Sequence, residues 1–321
     1  MTESRQPVHT VFGGAHLFRA GVADRFRALA LESLDKYAPD AASLGAALGL
    51  GPGTPVDLVY ARVREKLLRE PIEDYRIDFE DGYGVRADPE EDRHAVAAAS
   101  EVATGIAADV LPWRVGVRVK SFAGEERERS TRTLRLFVAT LVKGTGRLPA
   151  NFIVNLPKVT SIAQVAEFVE RLAALEREYG LSEGELRFEV MVETPQIVLA
   201  SDGRSPLSLL AGAGGDRLVG AIFGAYDFTA SLGITAAHQS LRHSACDFAR
   251  NMMLVALAGT RIQLSDGATA VLPVPVHPQP AAGALTAAQS GENRNGVHAA
   301  WRLHAGNIRH AMACGFYQGW D

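Results

Sequence analysis

From about residue 70 the chain alternates short apolar runs with longer segments of helical periodicity, and this alternation admits few folds. The runs are Arg76 to Phe79, Val115 to Val119, Phe152 to Leu156, Phe188 to Val192, Leu218 to Phe223 and Ala270 to Val276. They are rich in Val, Ile and Phe, as buried parallel strands are. The segments between them carry helix signals. Asp88-Pro89-x-Glu91 combines a capping residue, a proline at the first helical position and an acid at the third, opening a helix through about Ala108. Ser161-x-x-Gln164 opens another, whose Ile162, Val165, Val169, Leu172 and Leu175 form one apolar stripe that Gly180 ends.

An early run at Val8 to Phe12 and a last one at Gly315 to Tyr317 bring the strands to eight. Eight β/α units predict an α/β fold, a (β/α)8 TIM barrel, and 321 residues suit a single domain over 1–321. Residues 37–74 read as an insertion on one rim after the first strand, with a Gly/Pro-rich loop at Gly49 to Pro55 and a charged helix from Val56 to Glu70. Pro273 to Thr286, rich in Pro and Ala, reads as a loop. The rival is an open doubly wound sheet, which often carries a dinucleotide fingerprint between a strand and a helix. Gly49-x-Gly51-x-Gly53 follows no strand and Gly212-x-Gly214-Gly215 precedes one, so both read as loops.

The net charge is −4 with no long block of one sign, which argues against nucleic-acid and membrane partners. Cys246 and Cys314 show no metal-ligand spacing and suit a reducing compartment. The polar Met1 to Val11 and the lack of any apolar run of about 18 residues lead us to expect a cytoplasmic protein.

Strand exits gather on one face of a barrel. There the chain places Gly13-Gly14-Ala15-His16, Glu80-Asp81-Gly82, Arg118 with Lys120, Pro157-Lys158, Glu193 and Asp227. Two carboxylates on neighbouring strand exits, Glu193 and Asp227, can share one hard oxygen-preferring ion, Mg²⁺ first and Mn²⁺ second. Arg118 offers a planar fork for a carboxylate, and Glu80 or Asp81 can accept from metal waters or act as base. Plainer readings stand beside these. Thr194-Pro195 suits an ordinary turn, Asp227 a helix cap, Asp81-Gly82 a hairpin, Arg118 a sheet-edge pair, Lys158 charge neutralisation of the mouth, and His16 a structural histidine.

The succession Asp78-Phe79-Glu80-Asp81, Val117-Arg118-Val119, Leu156-Pro157-Lys158-Val159, Val192-Glu193-Thr194 and Phe223-Gly224-Ala225-Tyr226-Asp227-Phe228 resembles the HpcH/HpaI aldolase and citrate lyase beta-subunit superfamily, which includes malyl-CoA lyases. The resemblance runs from about Val8 to the end of the chain. It implies a phosphoenolpyruvate/pyruvate-type barrel, a Mg²⁺-stabilised enolate, and carbon–carbon bond lysis or formation on a 2-oxo acid or a 3-hydroxyacyl-CoA thioester. By resemblance Glu193 and Asp227 bind the metal, Arg118 holds the substrate carboxylate or oxyanion, and Glu80 and Asp81 orient metal-bound water. Lys158 matches a recurrent Pro-Lys, Gly224 and Ala225 fall in the substrate-binding segment, and a homo-oligomer, a trimer or hexamer, is expected.

The chain also departs from the pattern. The pyruvate-aldolase branch has Gly-Glu-His on the second strand, where this chain has Phe79-Glu80-Asp81-Gly82, so that branch's histidine base is absent. The citrate lyase branch continues beyond the last strand with a His-Pro motif and further helices, whereas this sequence stops at Gly319-Trp320-Asp321. A short C-terminus leaves CoA use open and motivates an alternative: a catalytically degenerate barrel serving as a binding or assembly subunit.

Overall fold

The structure is a computed structural model that describes residues 5–279 and 283–320, so Asp321 and part of the Pro273 to Thr286 loop lie outside the described residues. The strands are β1 (His9–Gly14), β2 (Asp74–Asp78), β3 (Arg114–Arg118), β4 (Ile153–Leu156), β5 (Arg187–Val192), β6 (Leu218–Phe223), β7 (Gln263–Ser265) and β8 (Gly319–Trp320). Every neighbouring pair is parallel, and the sheet order follows the chain from β1 to β7 with β8 against β1. A Ser265–Gln318 bridge and an Asp266 N–H donating to the Gln318 carbonyl at 2.8 Å close the ring. The expected (β/α)8 barrel is therefore present.

Two strands differ from expectation. The seventh is the polar Gln263–Ser265, while Ala270 to Val276 forms no strand: Pro273 and Pro275 lack the donors a ladder needs, and Val271, Leu272, Val274 and Val276 are exposed. The eighth is Gly319–Trp320, because Gly315 to Tyr317 is the turn after the last helix.

The helices are α1 (Val22–Tyr37), α2 (Ala41–Leu48), α3 (Val56–Arg69), α4 (Asp88–Ala108), α5 (Glu126–Thr145), α6 (Ile162–Tyr179), α7 (Pro195–Val198), α8 (Leu210–Gly214), α9 (Ala225–Ser231), α10 (Ser244–Leu257) and α11 (Ala287–Ala313). Helix α6 begins as the sequence predicts, with Ser161 and Gln164 capping reciprocally and Gly180 left-handed at its end. In α4 the cap is Ala87, Asp88 being already helical. Part of the Gly212 cluster, read as loop, is the C-terminal turn of α8.

The chain divides into two compact units. The first, residues 1–22, 72–268 and 311–321, holds the eight strands and a core that includes Ile77, Val117, Val154, Phe188 and Phe223. Its Cys246 is fully buried, and burial pushes the thiol up to about 11, which makes it inert. The second, residues 23–71 and 269–310, is helical and packs Leu34, Ala38 and Leu44 with Val59, Val63, Leu67 and Trp301.

The barrel interior is not filled by aliphatic side chains alone. At its lower level Asp74, Arg76, Asn155 and Glu189 form a buried ring with Arg114. Arg76 grips Asp74 with Nε and Nη2 at 2.7 and 2.6 Å, and its Nη1 donates to Asn155 at 2.6 Å and lies 3.0 Å from Glu189. Arg114 donates to the other Glu189 oxygen at 3.2 Å. Gly116 makes room for this ring, since a Cβ there would lie 2.9 Å from the Arg76 side chain and 2.4 Å from the Ile153 carbonyl.

Candidate active site

At the C-terminal ends of the strands the organising residue is Asp78, the last of β2, which is fully buried. Its carboxylate accepts the N–H of Glu80 at 2.9 Å and of Gly82 at 2.7 Å, folding the turn that carries Glu80 and Asp81 into the mouth. Gly82 has to be glycine because a Cβ would lie 2.6 Å from the Asp78 carboxylate. The turn is not a hairpin: Tyr83 and Gly84 both donate back to the Glu80 carbonyl. Sequence reasoning quoted Asp78 within a motif but gave it no role; the period-two series Asp74, Arg76, Asp78 along β2 was the signal.

Arg118 ends β3 and is buried. Its Nε and Nη2 pair with Asp78 at 2.7 and 2.5 Å, so one full edge of the fork expected for substrate is engaged within the protein. The remaining Nη1 lies 3.2 Å from Glu80 and 3.9 Å from Asp81, and the guanidinium sits over Phe12, 4.8 Å from its ring centre.

Lys158 follows β4 with a left-handed backbone, φ +52°, which is uncommon for a side-chain-bearing residue and worth about 1–3 kcal/mol of strain. That conformation points its backbone N–H at Glu193, 2.6 Å away, while its ammonium pairs with Glu80, with Asp81 at 3.0 Å and with Asp227 at 3.6 Å. Burial opposes its charge, but the bonds and charges of Glu80 and then Asp81 raise its pKa overall, so it is a fixed ammonium and not an amine nucleophile.

Glu193 follows β5 and is 2% exposed. Gly224 faces it, since a Cβ there would lie 2.4 Å from its Oε2. Gly224 thus gives Glu193 its space, and Ala225, buried, opens α9, whose first turn carries the half-exposed Asp227. Burial pushes the Glu193 carboxyl up to about 8, and the charges of Glu80 and Asp227 add to this. Burial likewise lifts Glu80 to about 7 against the pull of Arg118 and Lys158. Asp81 is held below the usual carboxylate range: burial works against this, and the Lys158 hydrogen bond outweighs it.

The mouth therefore gathers Glu80, Asp81, Arg118, Lys158, Glu193 and Asp227. Among the described residues no three of its carboxylates bring oxygens within 4.8 Å of one another, and the Lys158 ammonium lies among Glu80, Asp81 and Asp227. Lys120 is turned aside, donating to the Phe79 carbonyl at 3.1 Å and lying 3.4 Å from the buried Glu91. His16 packs near Tyr83 and His94; its Nδ1 is buried without a hydrogen-bond partner, and burial, then Arg86, lowers its pKa.

Residues 1–321 match the model of a family described as a domain of unknown function (DUF6986). The chain belongs to this family. No curated protein matches the DUF6986 chain. Among solved structures it is similar to Haloferax volcanii malate synthase in its native form at 3 mM glyoxylate, with 14% identity and a TM-score of 0.59 over 100% of this chain and 72% of that one. The magnesium/glyoxylate complex of the same enzyme matches at 14% identity and a TM-score of 0.58, over 100% and 73%. A citrate lyase from Burkholderia xenovorans LB400 matches at 15% identity and a TM-score of 0.53, over 98% and 94%. At such identities the likeness is one of fold: the DUF6986 barrel is that of the malate synthase and citrate lyase structures.

Proposed function

We propose that this DUF6986 chain is a Mg²⁺-dependent lyase or aldolase that makes or breaks a carbon–carbon bond through an enolate of a small carboxylated substrate. The observation that carries this reading is the charge balance of the mouth, where Asp78, Glu80, Asp81, Glu193 and Asp227 meet only Arg118 and Lys158. Three of these five carboxylates, Asp78, Glu80 and Glu193, are buried, and such groups in excess of their cations either hold protons or take up a metal. The donor set fits a hard divalent ion: every candidate ligand is an oxygen, and the buried Glu80 Oε2 makes no hydrogen bond, only an ion pair with Arg118 Nη1 at 3.2 Å. Glu193 and Asp227 would hold the ion, with Glu80 and Asp81 accepting from its waters. When bound, it supplies Lewis-acid stabilisation of negative charge on a substrate oxygen.

The chain's own groups supply the rest. Asp78 fixes the Arg118 plane, so that Nη1 presents a permanent donor toward the mouth. Lys158 keeps its proton and adds a second fixed positive charge for a carboxylate. A 2-oxo acid is the first candidate and a 3-hydroxyacyl-CoA thioester the second. The glyoxylate of the magnesium-bound malate synthase is in keeping with a small oxo acid. A cytoplasmic homo-oligomer belongs to the same reading.

One observation favours the rival, a barrel that binds without turnover: the Lys158 ammonium already lies among three mouth carboxylates. NMR of pyruvate in heavy water separates the two. Mg²⁺-dependent exchange of the methyl protons, abolished by Glu193→Gln and by Asp227→Asn, is expected. Exchange unchanged in both variants removes the metal assignment, and Mg²⁺ binding with no exchange of any oxo acid or thioester favours the rival.

A further inference from the structure

A second concave site lies at the opposite end of the strands, where β3 to β7 begin, and encloses about 880 Å³. Three arginines line it: Arg114 at the start of β3, Arg187 at the start of β5 and Arg261 just before β7. Arg114 is 5% exposed. Its Nη1 is committed to Glu189, but its Nε is buried with no hydrogen-bond partner. A buried charged donor left unsatisfied is costly, and a ligand, ion or water is one way to satisfy it. Among the described residues neither Arg187 nor Arg261 has an ion-pair partner, and the Arg187 charge acts on Arg114 as a repulsion. The acids of the wall are Glu185, which accepts the Ser182 N–H of its own turn, and Asp216, and among the described residues neither is ion-paired with an arginine of the wall.

We infer that this cavity binds a small solute through a phosphate or carboxylate group, held by Arg187 and Arg261 with the Arg114 guanidinium beside them. Guanidinium groups meet such oxyanions with parallel charge-assisted bonds. Arg114 ties the site to the buried ring through Glu189 and, beyond it, Arg76. This site is independent of the mouth and of the chemistry proposed there.

The test is calorimetric titration of the full chain with inorganic phosphate and, separately, succinate, at constant ionic strength set with chloride. Arg187 and Arg261 are exposed, so the double variant Arg187→Ala/Arg261→Ala leaves the core intact. Binding of the preferred anion is expected to weaken about tenfold or more in that variant, and also in Arg114→Lys, which keeps a charge for Glu189 but loses the planar guanidinium. Arg204→Ala, at an exposed arginine outside both sites, should leave it unchanged. Tighter phosphate names a phosphate ligand and tighter succinate a carboxylate. Equal affinity in the double variant, an equal loss in Arg204→Ala, or no binding of either anion overturns the proposal.

Discussion

The barrel carries two levels of buried charge, and they are balanced differently. In the lower ring Asp74 and Glu189 face Arg76 and Arg114, and Asn155 completes the hydrogen bonds. Two acids meet two arginines, as a permanent internal network requires. At the mouth five carboxylates face two cations. One level is balanced in charge by the chain itself, while the other is left short of positive charge, with Glu193 and Glu80 pushed up to about 8 and about 7. A closed ring serves structure, whereas an open charge account at strand exits serves a ligand.

The largest effect is expected in the lower ring. Arg76→Met leaves Asp74 and Glu189 without their shared partner and should cost about 3–5 kcal/mol in urea unfolding. At the mouth Lys158→Met should cost far less in stability, because the side chain is a third exposed and solvent screens its pairs. Equal losses in the two variants would break the contrast between the levels.

The second effect sharpens the contrast through pH. The folded Glu193 carboxyl titrates near 8, above its ordinary 4.5, so the folded state holds this proton longer than the unfolded chain does. Its charge carries no penalty below about 4.5, an increasing one as pH rises toward 8, and a constant one beyond. Without divalent ions, the stability of the wild type relative to Glu193→Gln should therefore fall across that window, by at most roughly 1.4 kcal/mol per pH unit. Thermal melts at intervals of one pH unit measure this, and a flat or rising difference contradicts it. The smallest effect is expected for Asp81→Asn, whose side chain is 56% exposed: a stability change within about 0.5 kcal/mol.

Strands β3 to β6 are legible in the sequence because each carries a largely buried apolar stretch, whereas β2, Asp74–Asp78, has three charged residues of five and is signalled by the Ile77 to Phe79 end of its run. Strand β7 is three residues, Gln263-Leu264-Ser265, and β8 two, so neither has the length to stand out from a loop, and the apolar decoy at Ala270 to Val276 drew the reading away. The lower ring is hidden for a related reason: Arg76 and Glu189 lie within apolar runs, where hydropathy averages them out and only the period-two placement marks them as inward. At the mouth the residue types and their strand exits are readable, but the partner geometry is not. That Asp78 takes one edge of Arg118, and that Lys158 reaches Glu193 with its backbone and three other acids with its side chain, depends on the turn after β2 and on one left-handed residue.

The most direct test of the unbalanced mouth is titration of the metal-free chain with Mn²⁺ at pH 8, followed by electron paramagnetic resonance. One ion per chain is expected, displaced by Mg²⁺ and weakened at least about a hundredfold in Glu193→Gln/Asp227→Asn, while Arg187→Ala/Arg261→Ala binds as the wild type does. No bound Mn²⁺, or equal binding in the Glu193→Gln/Asp227→Asn chain, would contradict the assignment of the mouth to a divalent ion.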